Sequence, residues 1–440
     1  MAELNPIHLK IAILVHYYPP INSSGAKRFE AMTKFFARAG HTVTVCTTSK
    51  SGSDGEFTEE TPKGVAVFEL DRLGRISPSE QGKRQFEDMY SDKPSFSRRL
   101  KAIVMDLFGQ LPDPRLPFAL GFGSPFLAPE VKQALRESDV VVGSCPPWPL
   151  VLASLIVSKR FGPLCIMDYR DPFSDCHEMP GGRFAKFVEK VVDKFLVRRA
   201  DAVVAISGPM AEYYRNFNPK TSVIMNGYDH EVIEQVALDN IWQAKSAQDP
   251  IVLRYMGLVS PGRVPHNLLA ALTKAVRAKP ELLERLRFEY YGPGDIMRKT
   301  LDAEYPDIAE LFHFNSNIPY RQALGLMLTA DYLLFCETSS KHNLSAQGIL
   351  TTKLFEYIAS GRRIVADIDK QTLAGGLVAK ADASHVISTD PNHFEEFLLS
   401  DGFLSPGPSK PSLIANNLSR KFAADQYMEL MKSMVFPTKN

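Results

Sequence analysis

The chain has 440 residues, more than one hydrophobic core usually organises, so we expect two domains. Its formal net charge of +1 excludes a global basic field for nucleic acid, and its five cysteines, with no CxxC pair, argue against a disulfide scaffold or a zinc site. A reducing cytoplasm fits this composition. No uninterrupted apolar run reaches the roughly 18 residues of a spanning helix, so none is expected.

The first half of the chain begins with an alternating pattern. A strand is predicted at Lys10–Val15, then a loop containing Gly25, a helix over Ala26–Ala39 and a strand over His41–Thr47. Such a unit is typical of a doubly wound parallel sheet. Charged segments at 49–62 and 71–98 are predicted to be loops. Further strands are predicted at Val65–Leu70, Asp139–Gly143, Leu164–Asp168, Ala202–Ala205 and Ser222–Met225.

A second alternating unit follows a polar, helical stretch at 230–249, which we interpret as a linker. Its strands are predicted at Ile251–Met256, Arg287–Tyr291, Leu311–Phe314, Tyr332–Phe335 and Arg363–Ala366. Its helices are predicted at His266–Ala278, Arg321–Thr329, Lys353–Ser360 and His393–Leu399, and a last helix at Ile414–Met434. The fold class is therefore α/β, with two Rossmann-like domains facing a central cleft. We place them at 1–229 and 250–413, with a C-terminal helix at 414–440 that could return to the first domain.

Around Lys353 the pattern favours an anion site. Thr351 and Thr352 are good helix starters, and a cation in the first turn opposes the helix dipole unless an anion binds there. With Thr352 as the cap, a capping box does not account for Glu356, which could accept hydrogen bonds from ribose hydroxyls. The alternative is a solvated helix with an ordinary lysine and glutamate.

Two loops that follow predicted strands could also touch a ligand. After Met256, Gly257 would let the backbone approach a ligand closely, and Arg263 could bind a diphosphate with both guanidinium nitrogens. After Tyr291, Gly292 suits the close approach of a base or ribose. The alternative for both loops is a plain surface turn.

In the first half, charged residues follow the strand at Leu164–Asp168. Asp168, Arg170 and Asp171 form either an internal structural cluster or cleft residues, of which Asp171 could hold a sugar hydroxyl or stabilise a transition state. Candidate neighbours are His177 and, in the first strand-to-helix turn, Gly25 and Arg28.

Two stretches resemble membrane-facing segments. Residues 97–108 are basic and then apolar, and residues 183–199 form a basic amphipathic helix. For the second stretch, an ordinary helix packed on the core is the alternative. We expect residues 97–108 to contact an anionic membrane surface. The alternative is that this segment packs into the N-terminal domain.

Together these residues resemble the family-4 group of retaining glycosyltransferases with the GT-B fold. The similarity lies in Gly25, in the strand that follows Gly40, in the Asp168–Asp171 segment, in Asn226–Asp229 and in Lys353–Tyr357 followed by Gly361. The resemblance implies a nucleotide-sugar donor on the C-terminal domain, contacted by Gly25, Gly257, Gly292, Thr352, Lys353, Leu354 and Glu356. It implies a glycan or lipid-linked acceptor on the N-terminal domain, near Arg28, Asp168, Arg170 and His177.

The same resemblance implies that Arg263, Lys353 and Asp171 are catalytic, and that no metal or other cofactor is required. The expected setting is the cytoplasm, at the inner face of the membrane, in surface polysaccharide or glycoconjugate synthesis. One departure is that Gly348 stands where many members carry a first glutamate, eight positions before Glu356. The alternatives are a sugar-nucleotide 2-epimerase of the same fold and an inactive GT-B-like binding subunit.

Overall fold

A computed structural model describes residues 7–50, 56–57, 59–76, 107–174, 181–244, 246, 248–337, 347–348, 350–408, 410, 412 and 414–437. The chain divides into two compact units. The first consists of residues 1–225, 343–348 and 420–440, and the second of residues 226–342 and 349–419.

The first unit is a parallel sheet with helices connecting its strands. The strand order is β5-β3-β1-β6-β7-β8-β9, so the chain builds outward from β1 in one direction and then in the other. The elements in chain order are β1 (Lys10–Val15), β2 (Ile21–Asn22), α1 (Ser24–Arg38), β3 (Thr42–Thr48), β4 (Glu56–Phe57), β5 (Val65–Leu70), α2 (Leu116–Gly121), α3 (Pro129–Glu137), β6 (Val140–Cys145), α4 (Pro149–Phe161), β7 (Leu164–Tyr169), α5 (Arg183–Val197), β8 (Ala202–Ala205), α6 (Gly208–Arg215) and β9 (Thr221–Val223).

The second unit repeats this plan. Its strand order, β12-β11-β10-β13-β14-β15, is that of a dinucleotide-binding sheet, and all pairs are parallel. Its elements are α7 (His230–Asp239), β10 (Ile251–Met256), α8 (His266–Ala278), α9 (Leu282–Arg285), β11 (Leu286–Tyr291), α10 (Asp295–Glu304), β12 (Phe312–Asn315), α11 (Tyr320–Leu328), β13 (Tyr332–Cys336), α12 (Thr352–Ser360), β14 (Arg363–Asp367), α13 (Leu373–Ala381), β15 (Val386–Ser388), α14 (Pro391–Leu398) and α15 (Asp401–Leu404).

The last helix, α16 (Arg420–Val435), packs in the first unit against α1. Tyr427 and Met431 on α16 join Met32 and Phe36 on α1 in one buried cluster over the sheet. The predicted start at Ile414 is wrong, because Ala415–Leu418 forms a 3-10 turn and Ser419 is extended before the helix begins.

The α/β fold class is confirmed by the two parallel sheets. Strands β1, β5, β8 and β10 have the predicted bounds. Of these, β8 is the clearest case, because a parallel strand buried on both faces reads as a continuous apolar run. The three-residue strand β15 was not predicted, since so short a run carries no periodicity. Within the described ranges, no helix is long and apolar enough to cross a membrane.

Candidate active site

Polar side chains of the second unit gather at the carboxyl ends of β10 and β13, the neighbouring strands at which the chain direction across the sheet reverses. Gly257 follows β10 and Glu337 follows β13. Helix α12 is fastened to the same edge, because the backbone N–H of Met256 donates to the Tyr357 hydroxyl at 2.9 Å. Open α/β sheets bind their ligands at such a reversal point.

Lys353, in the first turn of α12, points its ammonium at Tyr255 of β10. The Nζ atom lies 3.9 Å from the centre of the Tyr255 ring and donates to its hydroxyl, which donates in turn to the Leu258 carbonyl at 3.0 Å. Burial is the main effect on the pKa of Lys353 and lowers it to about 8. The nearby carboxylate of Glu337 raises this pKa, and the positive charge of Arg263 lowers it. A bound anion would restore the full charge of this lysine.

Arg263 forms an ion pair with Glu337. The arginine ends a 3-10 turn, Pro261–Arg263, and its Nε contacts a carboxylate oxygen of the buried Glu337. The thiol of Cys336 donates to the Arg263 carbonyl at 2.7 Å, which fixes the turn against β13. This edge of the sheet therefore combines two cations with one carboxylate.

The N-terminus of α12 carries no acidic residue in its first turn and no side-chain cap. Its N-cap is Thr351, one residue before the predicted Thr352, and the Thr351 hydroxyl is buried without a hydrogen-bond partner in the described part of the chain. Backbone N–H groups, the helix dipole and Lys353 therefore all favour an anion at this point. The Leu354 side chain is fully buried in the core, so only its backbone is available for the predicted donor contact.

Glu356 is buried one turn later and is oriented by Tyr320 of α11, whose hydroxyl donates to Oε1 at 2.9 Å. An ionised carboxylate accepts hydrogen bonds only, so a fixed one suits the recognition of hydroxyl groups. Tyr320, Tyr255 and Glu337 were not singled out from the sequence. The one available signal was an acid directly after the wholly apolar strand β13.

Gly257 and Gly292 lie against each other at the ends of β10 and β11. Both have positive φ angles, +102° and +136°, and a Cβ on Gly292 would lie 2.8 Å from the Gly257 carbonyl oxygen. Close packing of the two loops thus already requires glycine at position 292. A Cβ on Gly257 would have no heavy atom within 4 Å, so space over this loop is open.

The start of α8 already has an internal anion. Asp367 accepts from the Asn267 backbone at 2.9 Å, from its side chain at 2.8 Å and from the Leu268 backbone at 3.1 Å.

In the described ranges no three His, Cys, Asp or Glu side chains are grouped so as to hold a metal ion.

In the first unit, Arg28 and Asp168 form a buried ion pair. Nη2 of Arg28 lies 2.8 Å from Oδ2 of Asp168, which also accepts from the Tyr427 hydroxyl. Arg28 further donates to the carbonyls of Ile224 at 3.0 Å and Met225 at 2.9 Å. These contacts join α1, β7 and α16, and they favour the structural interpretation of both residues over an acceptor contact.

Arg170 is also held by internal partners. It donates to the carbonyl oxygens of Gly25, at 3.0 Å, and Pro146. A Cβ on Gly25 would lie 2.7 Å from the guanidinium, so glycine at this position makes room for Arg170. Asp171 is exposed, and its catalytic role stays a prediction. His177 lies outside the described residues.

Gly348 has a steric reason to lack a side chain. A Cβ at this position would lie 2.7 Å from the Ser207 hydroxyl oxygen and 2.9 Å from Cγ of Met210. A glutamate here would require these neighbours to move. The departure from the two-glutamate pattern is therefore built into the packing of the first unit.

Comparison with known proteins finds a sequence similarity to one family and a similarity of fold to solved structures. Residues 25–227 match the family described as "Glycosyl transferase 4-like domain". Sucrose-phosphate synthase from Thermosynechococcus elongatus has a TM-score of 0.58 at 14% identity, over 96% of this chain and 98% of that chain. α,α-Trehalose 6-phosphate synthase from Burkholderia multivorans has a TM-score of 0.57 at 8% identity, over 98% and 100%. No curated protein is significantly similar in sequence. At these identities the likeness shows the fold, two Rossmann-like domains of the GT-B type.

Proposed function

We propose that the chain, whose residues 25–227 match the family described as "Glycosyl transferase 4-like domain", transfers a sugar from a nucleotide sugar to a glycan or lipid-linked acceptor with retention of configuration. The setting we propose is bacterial surface polysaccharide or glycoconjugate synthesis at the inner face of the membrane. The observation that carries the proposal is that two cations, Lys353 and Arg263, lie close to each other beside the start of α12, which has no side-chain cap.

In the proposed reaction these groups bind the diphosphate of the donor. The bond between the anomeric carbon and the diphosphate oxygen breaks, and the acceptor oxygen bonds to the same face of that carbon. The acceptor's proton passes to the departing phosphate oxygen. Lys353 and Arg263 neutralise the charge that develops on the diphosphate, a role that needs no metal ion, and Glu356 binds the ribose hydroxyls.

A screen of nucleotide sugars by thermal shift tests the donor site, since a ligand of the native state raises its melting temperature. The expected result is stabilisation by one nucleotide sugar and its nucleoside diphosphate, reduced in Lys353→Ala and Arg263→Ala. Stabilisation that persists unchanged in both variants would place the diphosphate elsewhere.

The product distinguishes the proposal from its two alternatives. Retaining transfer predicts, by proton NMR, a glycoside with the donor's anomeric configuration that forms only when acceptor is present. An epimerase would release nucleotide and epimer without acceptor, and an inactive binding subunit would give neither.

The acceptor's lipid linkage is a separate part of the proposal. Its support is the basic-then-apolar segment 97–108, whose described residues Leu107 and Phe108 are 57% and 52% exposed. Arg98, Arg99 and Lys101 would each add about 1 kcal/mol near an anionic surface. Reversing these three charges should reduce co-sedimentation with anionic liposomes at low salt. A wild-type protein that stays in the supernatant would favour a water-soluble acceptor.

A further inference from the structure

Helix α5 of the first unit presents an apolar stripe to solvent. Phe184 is 73% exposed, Phe187 64%, Val191 51% and Phe195 50%. At 3.6 residues per turn these four side chains lie within an arc of about 80°. Singly exposed apolar residues are common, but an aligned row of this kind indicates an interaction surface.

The opposite face of α5 buries its acids. Asp193 accepts from the hydroxyls of Tyr169, at 2.8 Å, and Ser174, at 2.7 Å, and Glu189 accepts from the Gln110 backbone at 2.6 Å. Both carboxylates are almost wholly inaccessible to solvent. These hydrogen bonds fix the rotation of the helix about its axis, so its phenylalanines face outward although a core could have held them.

The outward charge of this helix is entirely basic. Glu189 and Asp193 are the sole acids between positions 183 and 199, and both are buried. Most of the basic residues flank the stripe on one side, where their long side chains can reach past its apolar edge. The basic residues are Arg183, Lys186, Lys190, Lys194, Arg198 and Arg199, of which Lys186 forms an ion pair with Glu189, Nζ to Oε2, at 3.1 Å.

A further exposed phenylalanine precedes the residue that packs on α5. Phe108 is exposed, and the next residue, Gly109, packs on α5, since a Cβ there would lie 3.4 Å from that of Ala185. The residue that follows segment 97–108 therefore contacts α5, on the buried face that carries Ala185 and Glu189.

We propose that the α5 stripe docks on an anionic membrane, with its phenylalanines inserted at the boundary between headgroups and acyl chains and its cations among the headgroups. Apolar residues beside a row of cations are the pattern of an interfacial helix. Self-association through this face would oppose two rows of like charge, which disfavours a second copy as the occupant. The inference adds a second surface to the proposed membrane contact and does not depend on the transfer reaction.

Vesicle flotation of the full chain tests it, with phosphatidylcholine vesicles that contain or lack phosphatidylglycerol. The double variant Phe187→Ser/Phe195→Ser should bind the anionic vesicles about a hundredfold more weakly than the wild type. The double reversal Arg183→Glu/Arg198→Glu should weaken binding at low salt and much less at high salt. Phe126→Ser is the matched control, because Phe126 is as exposed as Phe187 but lies outside the stripe, and it should bind as the wild type.

Native circular dichroism and an unchanged thermal shift with UDP or GDP show that each variant is folded. Wild-type vesicle affinity in the Phe187→Ser/Phe195→Ser protein overturns the inference and leaves the proposed function intact. A loss in Phe126→Ser as large as that in the stripe variant overturns it too. The inference is also overturned if the wild type does not bind vesicles and instead forms a dimer that dissociates in the Phe187→Ser/Phe195→Ser variant. Vesicle binding without any nucleotide-induced shift would contradict the proposed function alone.

Discussion

Raising the pH from about 7 to about 9 should weaken nucleotide binding through the loss of one proton from Lys353. Burial beside Tyr255 holds the pKa of this lysine at about 8 in the free protein, below its ordinary value. A bound diphosphate favours the charged form, so the pKa rises in the complex. The charged lysine is the one that binds, and the free protein loses it as the pH passes 8.

The magnitude follows from this shift. If the pKa in the complex lies above the tested range, affinity falls by a factor of about 1 + 10^(pH − 8), roughly tenfold between pH 7 and pH 9, or about 1.4 kcal/mol. Below about pH 7 the lysine is already protonated, so the affinity should level off.

The assay is calorimetric titration with whichever of UDP, GDP or ADP raises the melting temperature. Lys353→Arg keeps its charge at every pH tested, so its profile should be flat. Lys353→Met should bind weakly, and any slope that remains in it belongs to the nucleotide or to other groups. A wild-type slope that persists unchanged in Lys353→Met would refute the assignment of the titrating group.

Three further predictions concern the same site and its surroundings. Arg263→Ala and Lys353→Ala should each lower kcat/KM by one to several orders of magnitude, about 2–4 kcal/mol, and stay folded by circular dichroism; near-wild-type turnover removes that residue from the diphosphate site. Activity should survive EDTA because protein cations neutralise the leaving group, whereas loss with chelator and rescue by Mg²⁺ or Mn²⁺ would contradict this. Gly348→Glu should lower the free energy of unfolding by about 1–3 kcal/mol through overpacking against Ser207, and Ser207→Gly should recover part of it; an unchanged urea midpoint would show that the segment moves aside.

Much of the fold could be read from the sequence because both sheets are parallel. Buried strands such as β8 and β13 are uninterrupted apolar runs, and α8 shows a clear helical period. The predicted cap of helix α12, Thr352, lies one residue after the observed cap, Thr351, because either threonine can cap a helix. The backbone angles of Thr351, φ −69° and ψ 145°, are those of an extended residue, so Thr351 precedes the helix as its cap.

The candidate site was only half visible in the sequence. Lys353 and Arg263 stand out because each follows a recognisable strand or helix signal. Glu337 and Tyr320 do not, since their partners come from other elements of the sheet and its helices. The pairing of Arg28 with Asp168, 140 positions apart, is likewise a property of the assembled sheet, and it favours a structural role for two residues that were predicted near the acceptor.

Helix α5 shows the limit of periodicity most clearly. Its pattern identifies an amphipathic helix but not which face is buried, and hydrophobicity alone would place Phe184, Phe187 and Phe195 in the core. The fold instead supplies Tyr169 and Ser174 as buried partners for its acids. Exposing three phenylalanines raises the free energy of the isolated protein relative to burying them. Exposed phenylalanines beside a basic surface break the rule that apolar side chains are buried, and such exceptions are expected where a chain contacts a partner. For this helix the partner that we propose is the membrane.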